Sequence, residues 1–205
     1  MMVGLLLARA GVSTLVLEKH GDFLRDFRGD TVHPSTMEIL DQLGMLDRFL
    51  ERPHSRLTRA NLTIAGQNLT FGELGHLNTP APFIAMMPQW DFLDFLKTEA
   101  AEFPEFSIEM VSEVAGLIDH GGRITGVKLA NGREILARKL IIMADGRKSL
   151  VRGQCLLPLT VLGAPMDVFW FRLPKRGQGG EALRGVVAAG SMMVMIDRND
   201  YWQCA

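Results

Sequence analysis

The sequence predicts an α/β protein whose first elements are half of a βαβ unit and whose later elements are mostly β. Three observations carry this. Residues 1–10 are apolar except at Arg9, and they lead through Gly11 into a β-branched, apolar run at 12–17 that closes on Glu18. Helical patterns then occupy the middle of the chain. From Phe106 onward the apolar period changes to two, and Asn131-Gly132 supplies a strong short-range hairpin signal.

Residues 1–10 form the first helix, with Gly11 where a C-cap belongs. Residues 12–17 form a short buried strand, so helix, glycine, strand and acid follow one another as in the second half of a βαβ unit. Pro34 holds the chain out of helix, and Ser35-Thr36-Met37-Glu38 has the pattern of a capping box. A helix therefore starts at Ser35, turns Ile39, Leu40 and Leu43 to one face, and ends at Gly44. Residues 57–71 alternate weakly and predict a hairpin around Gly66-Gln67-Asn68. Three prolines make 79–88 a loop. Phe92, Leu93, Leu96 and Ala100 mark one face of a further helix. Residues 108–118, 124–129 and 134–137 read as strands joined at Gly121-Gly122 and Asn131-Gly132, and 140–144 as a wholly apolar strand ending at Asp145-Gly146. After Pro158, strands recur at 168–173, 186–189 and 192–196. The division expected is one domain over 1–157, with a hairpin region inserted at 55–85, and the start of a β-rich second domain over 158–205.

Composition narrows the function classes. Hydrophobic residues make up 47% of the chain, enough for a packed core. With 22 Lys plus Arg against 23 Asp plus Glu, and no basic patch with interleaved aromatics, neither nucleic acid nor an anionic membrane is expected as the main partner. Cys155 and Cys204 are far apart, which excludes a disulfide framework. His20, His33, His54, His76 and His120 show neither metal-ligand spacing nor a Ser-His-Asp pattern, so they read as structural or solvated. The longest apolar stretch, 186–196, is about half of the ~20 residues that span a bilayer. With no leader-like start either, a cytoplasmic protein without a membrane span is expected.

Glu18 is the first residue with a chemical reading. An acid closing the second strand of a dinucleotide-binding βαβ unit accepts hydrogen bonds from ribose hydroxyls and repels a 2′-phosphate, which favours FAD or NAD over NADP. A solvated acid at a strand end is the alternative. Gly4 and Gly11 favour the ribose reading, because small residues let the helix pack close to its strand. The GxGxxG loop that would cradle the pyrophosphate should lie ~20 residues before this acid, upstream of Met1.

Two stretches then resemble one family. Residues 28–40, Arg28-Gly29-Asp30-Thr31-Val32-His33-Pro34-Ser35-Thr36-Met37-Glu38-Ile39-Leu40, look like the segment after the ribose acid in the para-hydroxybenzoate hydroxylase-like FAD-dependent aromatic monooxygenases. Asp145-Gly146-Arg147-Lys148-Ser149-Leu150-Val151-Arg152 resembles the family's Asp-Gly motif, with Met143 standing where a small residue is usual. The resemblance covers the chain from end to end, except that the family's final Gly-Asp motif is absent. It implies an α/β fold with a truncated Rossmann-like FAD-binding domain and a β-rich substrate-domain segment. It also implies that FAD is the cofactor, held by Glu18, Arg28 and Asp145-Gly146. Lys19 would lie near the adenosine half and Gln89 on the flavin side. Each has a plainer alternative: a surface lysine, a surface arginine, a helix-leading amide, an ordinary turn.

The activity implied is hydroxylation of a small phenolic substrate with NAD(P)H as co-substrate and O₂, with no catalytic side chain and no metal required of the protein. A halogenase or reductase of the same superfamily would share these motifs. So would an inactive truncated fragment, and weak or undetectable FAD retention is expected of this exact chain. The aromatic substrate, the choice of NADH or NADPH and the oligomeric state are not legible.

Overall fold

The computed structural model of the chain describes residues 1–24, 31–146, 149–154, 157, 160, 162–163, 166–175, 183–198 and 201–205. The elements begin with α1 (Met2–Arg9), β1 (Thr14–Leu17), β2 (Thr31–Val32), α2 (Pro34–Gln42) and α3 (Leu46–Leu50). Next come β3 (Ser55–Leu57), β4 (Arg59–Ile64), β5 (Gln67–Glu73), β6 (Ile84–Met86) and α4 (Gln89–Ala101). Then follow β7 (Phe106–Glu109), β8 (Val114–His120), β9 (Arg123–Leu129), β10 (Glu134–Leu136) and α5 (Leu150–Gln154). The last strands are β11 (Phe171–Pro174), β12 (Leu183–Ala188), β13 (Ser191–Asp197) and β14 (Tyr201–Cys204). They fall into two compact units, Met1–Phe23 with Leu96–Ala164 and Leu24–Phe95 with Pro165–Ala205.

In the first unit β1 and β7 pair in parallel, from Thr14 opposite Phe106 to Leu17 opposite Glu109, and α1 buries Leu5 and Ala8. Gly4 permits that packing: a Cβ there would come within 2.7 Å of Val16 Cγ2 and 3.1 Å of the Phe106 ring. Gly11 plays no part in the packing. It is the left-handed residue that turns the chain out of the helix, with open space around it. Strands β8, β9 and β10 form an antiparallel sheet with β9 central. The two hairpin turns fall where the sequence places them, at Gly121-Gly122 and around Asn131, whose Oδ1 accepts the Arg133 N–H at 3.0 Å.

Two expectations for this unit need correction. The single strand expected at 108–118 is two strands, β7 and β8, separated by a left-handed residue at Val111. Residues 140–144 form no strand, and Leu140 and Ile142 are 73% and 50% exposed. Apolar composition makes a strand only where a neighbour satisfies its backbone and covers a face, and none of the described strands pairs with this segment.

In the second unit β6 is the central strand of an antiparallel sheet ordered β2-β6-β3. The loop expected over 79–88 thus contains a strand. Its prolines, Pro80, Pro82 and Pro88, all lie outside Ile84–Met86 and remove no ladder donor. Helix α2 begins at Pro34 itself, with His33 as N-cap and no side-chain cap bond, so the predicted capping box does not form. Proline lacks an N–H that the first helical turn would leave unpaired anyway. The buried face of α2 is Pro34, Met37 and Leu40, while Ile39 is 42% exposed.

The remaining strands form one six-stranded sheet, β11-β14-β13-β12-β4-β5. It is antiparallel except where β12 runs parallel to β4, Gly185 opposite Leu62 through Val187 opposite Ile64. The β4–β5 turn sits at Ala65-Gly66, and this early hairpin shares its sheet with strands drawn from the end of the chain. Strand β14 carried no sequence signal. The core here brings Leu57, Met86 and Ile196 together, with Ile84, Leu183 and Val194 packed against them.

Candidate functional site

Glu18 directly follows β1, at the carboxyl end of a parallel pair, which is where open α/β sheets bind ligands. The backbone on both sides of it is held. Its N–H donates to Glu109 O at 2.9 Å, and its carbonyl accepts the Ser112 N–H at 2.8 Å. The side chain is half-buried, and Oε1 accepts the His20 N–H at 2.9 Å. At the amino-terminal end of α1, burial lowers the pKa of the Met1 amino group and the nearby Glu18 carboxylate opposes that shift. The acid and the start of the helix are therefore electrostatic neighbours. A carboxylate in this position is an acceptor for paired hydroxyls. Lys19 beside it is exposed.

Asp145 already has a local partner. Its Oδ2 accepts the Leu150 N–H at 3.0 Å, and Ser149 Oγ accepts the Arg152 N–H at 3.3 Å, so the motif caps the first turn of α5. Gly146 is left-handed at φ +78°, a conformation that only glycine adopts without strain. Asp145 and Gly146 are both exposed. Gln89 is half-buried and is the first residue of α4; the sequence placed it just ahead of that helix. Glu18, Lys19, Asp145 and Gly146 belong to one compact unit and Gln89 to the other. Arg28 lies outside the described residues, as do Arg147 and Lys148 of the Asp-Gly motif. Among the described residues no group of three or more His, Cys, Asp or Glu could hold a metal ion, and no helix is long and apolar enough to cross a membrane.

An aromatic cluster unmarked in the sequence joins Phe49 of α3, His54 after α3, Phe83 before β6, and Phe92 and Phe95 of α4. His54 stacks between Phe49 and Phe83, with ring centroids 6.4 and 6.1 Å away, and Phe49 meets Phe92 and Phe95 edge-on. His54 Nδ1 lies 2.7 Å from Arg52 O; a carbonyl only accepts, so Nδ1 carries the hydrogen. The pKa of Asp91, in the first turn of α4, is raised above the ordinary value of 3.8, by desolvation first and then by Asp94, with Arg52 pulling the other way. A raised folded-state pKa stabilises the fold in acid, fully below the unfolded value, and that contribution is lost as pH rises through the folded value. Asp91→Asn, which cannot ionise, should therefore raise Tm at pH 7, and the gain should vanish below about pH 4. Thermal melts of both proteins across that range check it.

Residues 1–176 match the family model described as "FAD binding domain". The chain belongs to that family. Among its relatives, the 6-methylpretetramide 4-monooxygenase of Streptomyces rimosus is 27% identical over 174 residues, covering 83% of this chain and 42% of that protein. The rifampicin monooxygenase of Streptomyces venezuelae is 32% identical over 158 residues, covering 77% of this chain and 31% of that protein. The crystal structure of PqsL, a probable FAD-dependent monooxygenase from Pseudomonas aeruginosa, superposes with a TM-score of 0.74 at 18% identity, over 99% of this chain and 56% of that one. The chain thus spans less than half the length of these two curated relatives. In its FAD-binding domain the chain thus bears out the resemblance to the para-hydroxybenzoate hydroxylase-like FAD-dependent monooxygenases. FAD suits the donor set of this FAD-binding chain: an oriented carboxylate beside the start of a helix, with Gly4 bringing that helix onto the strand the acid closes.

Proposed function

We propose that this chain is the part of an aromatic hydroxylase that holds FAD and begins the substrate domain, the whole enzyme hydroxylating a small phenolic compound with NAD(P)H and O₂. The observation that carries the reading is the oriented Glu18 carboxylate after β1 in a chain of the FAD-binding family. Glu18 accepts from the ribose hydroxyls of the adenosine half, Lys19 lies along that half, Asp145-Gly146 meets the ribityl and pyrophosphate, and Gln89 meets the flavin side. FAD, when bound, supplies the redox chemistry between NAD(P)H and O₂. The side chains bind and orient it and keep water from the reacting ring, so none need be a nucleophile or a metal ligand. Residues 158–205 begin the substrate domain, and the reaction takes place in the cytoplasm. The names of the relatives, which are monooxygenases of 6-methylpretetramide and of rifampicin, support a small organic substrate.

Titration of the purified chain with FAD, followed by flavin fluorescence, tests the binding half of this reading. Consumption of NADH or NADPH with and without phenols then tests the activity half. Saturable binding is expected. Acceleration by a phenol with oxygen incorporated into the ring supports the hydroxylase. Incorporation of halide instead would move the chain to the halogenases, and no binding at all would make it an inert fragment.

A further inference from the structure

We infer that the turn Met110-Val111-Ser112 is a clamp that sets the Glu18 carboxylate, with Val111 as a positioning residue; this rests on the reading of Glu18 as the ribose acceptor. Val111 has φ +55°, which is unfavourable for any residue with a Cβ and most of all for a β-branched one. Its side chain is 73% exposed, so buried packing does not compensate for that conformation. The backbone shows what it achieves. Up to Glu109 the chain runs parallel to β1, and the last ladder bond is Glu18 N–H to Glu109 O. The left-handed residue then turns two successive amides back onto the loop after β1. Val111 N–H donates to His20 O at 3.0 Å and Ser112 N–H to Glu18 O at 2.8 Å. Ser112 is buried, and its Oγ donates to Met110 O at 3.2 Å, fixing the turn from within. The carbonyls of residues 18 and 20 are thereby held in place. The His20 N–H is then presented to Glu18 Oε1, so the acid's side chain is oriented without a ligand. Strain kept where a functional group must be placed is the pattern expected of a preorganised site.

Residue-resolved amide hydrogen exchange by NMR tests this on the chain as it is. The His20 amide bonds the carboxylate, so its protection reports where that carboxylate is. Val111→Gly accepts the left-handed backbone and should slow exchange at His20 and Ser112 by roughly two- to ten-fold, the relief of strain less glycine's greater freedom when open. Exchange at Val16 and Ile108 should not change. Val111→Pro, with φ held near −65°, should remove protection at His20 although neither His20 nor Glu18 is altered. A turn that serves only the chain path would lose Ser112 in that variant and keep His20, which would overturn the proposal. So would His20 exchange in Val111→Gly equal to that of the parent, and this arm decides alone should Val111→Pro fail to fold. Added FAD separates the two readings. If it slows His20 exchange in the parent, Glu18 meets the nucleotide; if it leaves exchange unchanged while the variant effects persist, the ribose role falls and the clamp stands.

Discussion

Glu18→Gln should weaken FAD binding roughly 10- to 100-fold while leaving the thermal melt of the ligand-free chain nearly unmoved. The affinity loss follows from the charge on the acceptor. A hydrogen bond from a ribose hydroxyl to a carboxylate contributes about 1.5–3 kcal/mol, against about 0.5–1.5 for a neutral acceptor, and each 1.4 kcal/mol is a factor of ten in Kd. The fold should be spared because what holds this corner is main chain. Glu109 O and the Ser112 N–H keep their partners whatever the side chain at position 18. An amide oxygen can also still accept the His20 N–H that now meets Oε1. Asp145→Ala is the informative contrast. Its Oδ2 holds the Leu150 N–H, so that change should fray α5 and lower helical signal as well as affinity. A fluorescence titration giving equal Kd values for Glu18→Gln and its parent would overturn the ribose role given to Glu18.

Much of this corner was legible from residue order alone. An apolar helix, a short β-branched strand and an acid have few other compact arrangements, and Gly4 proved to be the contact that lets the helix sit on Val16 and Phe106. Asn131-Gly132 and Gly121-Gly122 announced their turns because turn chemistry is local. What failed to show was non-local or depended on context. Pairing of β12 with β4 joins segments more than a hundred residues apart in the chain, and no short pattern encodes a partner. Residues 140–144 looked like the most buried strand of all, yet composition says nothing about whether a neighbour is there to pair. Ser35 had the right residues around it for a cap, but Pro34 already has the φ of a first helical residue and took the position. Val111 went unread because nothing in a valine signals a left-handed backbone. Asp145 was found by motif, and only the structure shows that its carboxylate also caps a helix.

The largest change in stability should come from the six-stranded sheet. Lys175 Nζ lies 2.5 Å from Asp197 Oδ2 and 5.3 Å from the centroid of the Trp202 ring, so the lysine reaches across β14 to bind the end of β13. The two side chains are only 8% and 16% exposed. Lys175→Met takes the ammonium away from a carboxylate that has already lost most of its water, a change that typically costs about 3–5 kcal/mol. That is a large fraction of a total stability of roughly 5–15 kcal/mol, and for a chain of this size it corresponds to a fall in Tm of about 6–20 °C. Lys175→Met/Asp197→Leu should recover most of the loss, because the penalty lies in a desolvated carboxylate deprived of its ammonium and not in missing attraction. The exposed pair Arg59–Glu73 sets the scale: also within 2.7 Å, but 67% and 30% exposed, it should yield under about 1 kcal/mol when Arg59 becomes Met. Thermal or urea melts of the four proteins decide the matter. A double variant as unstable as Lys175→Met would show that the ammonium over the Trp202 ring, and not the ion pair, carries the stabilisation.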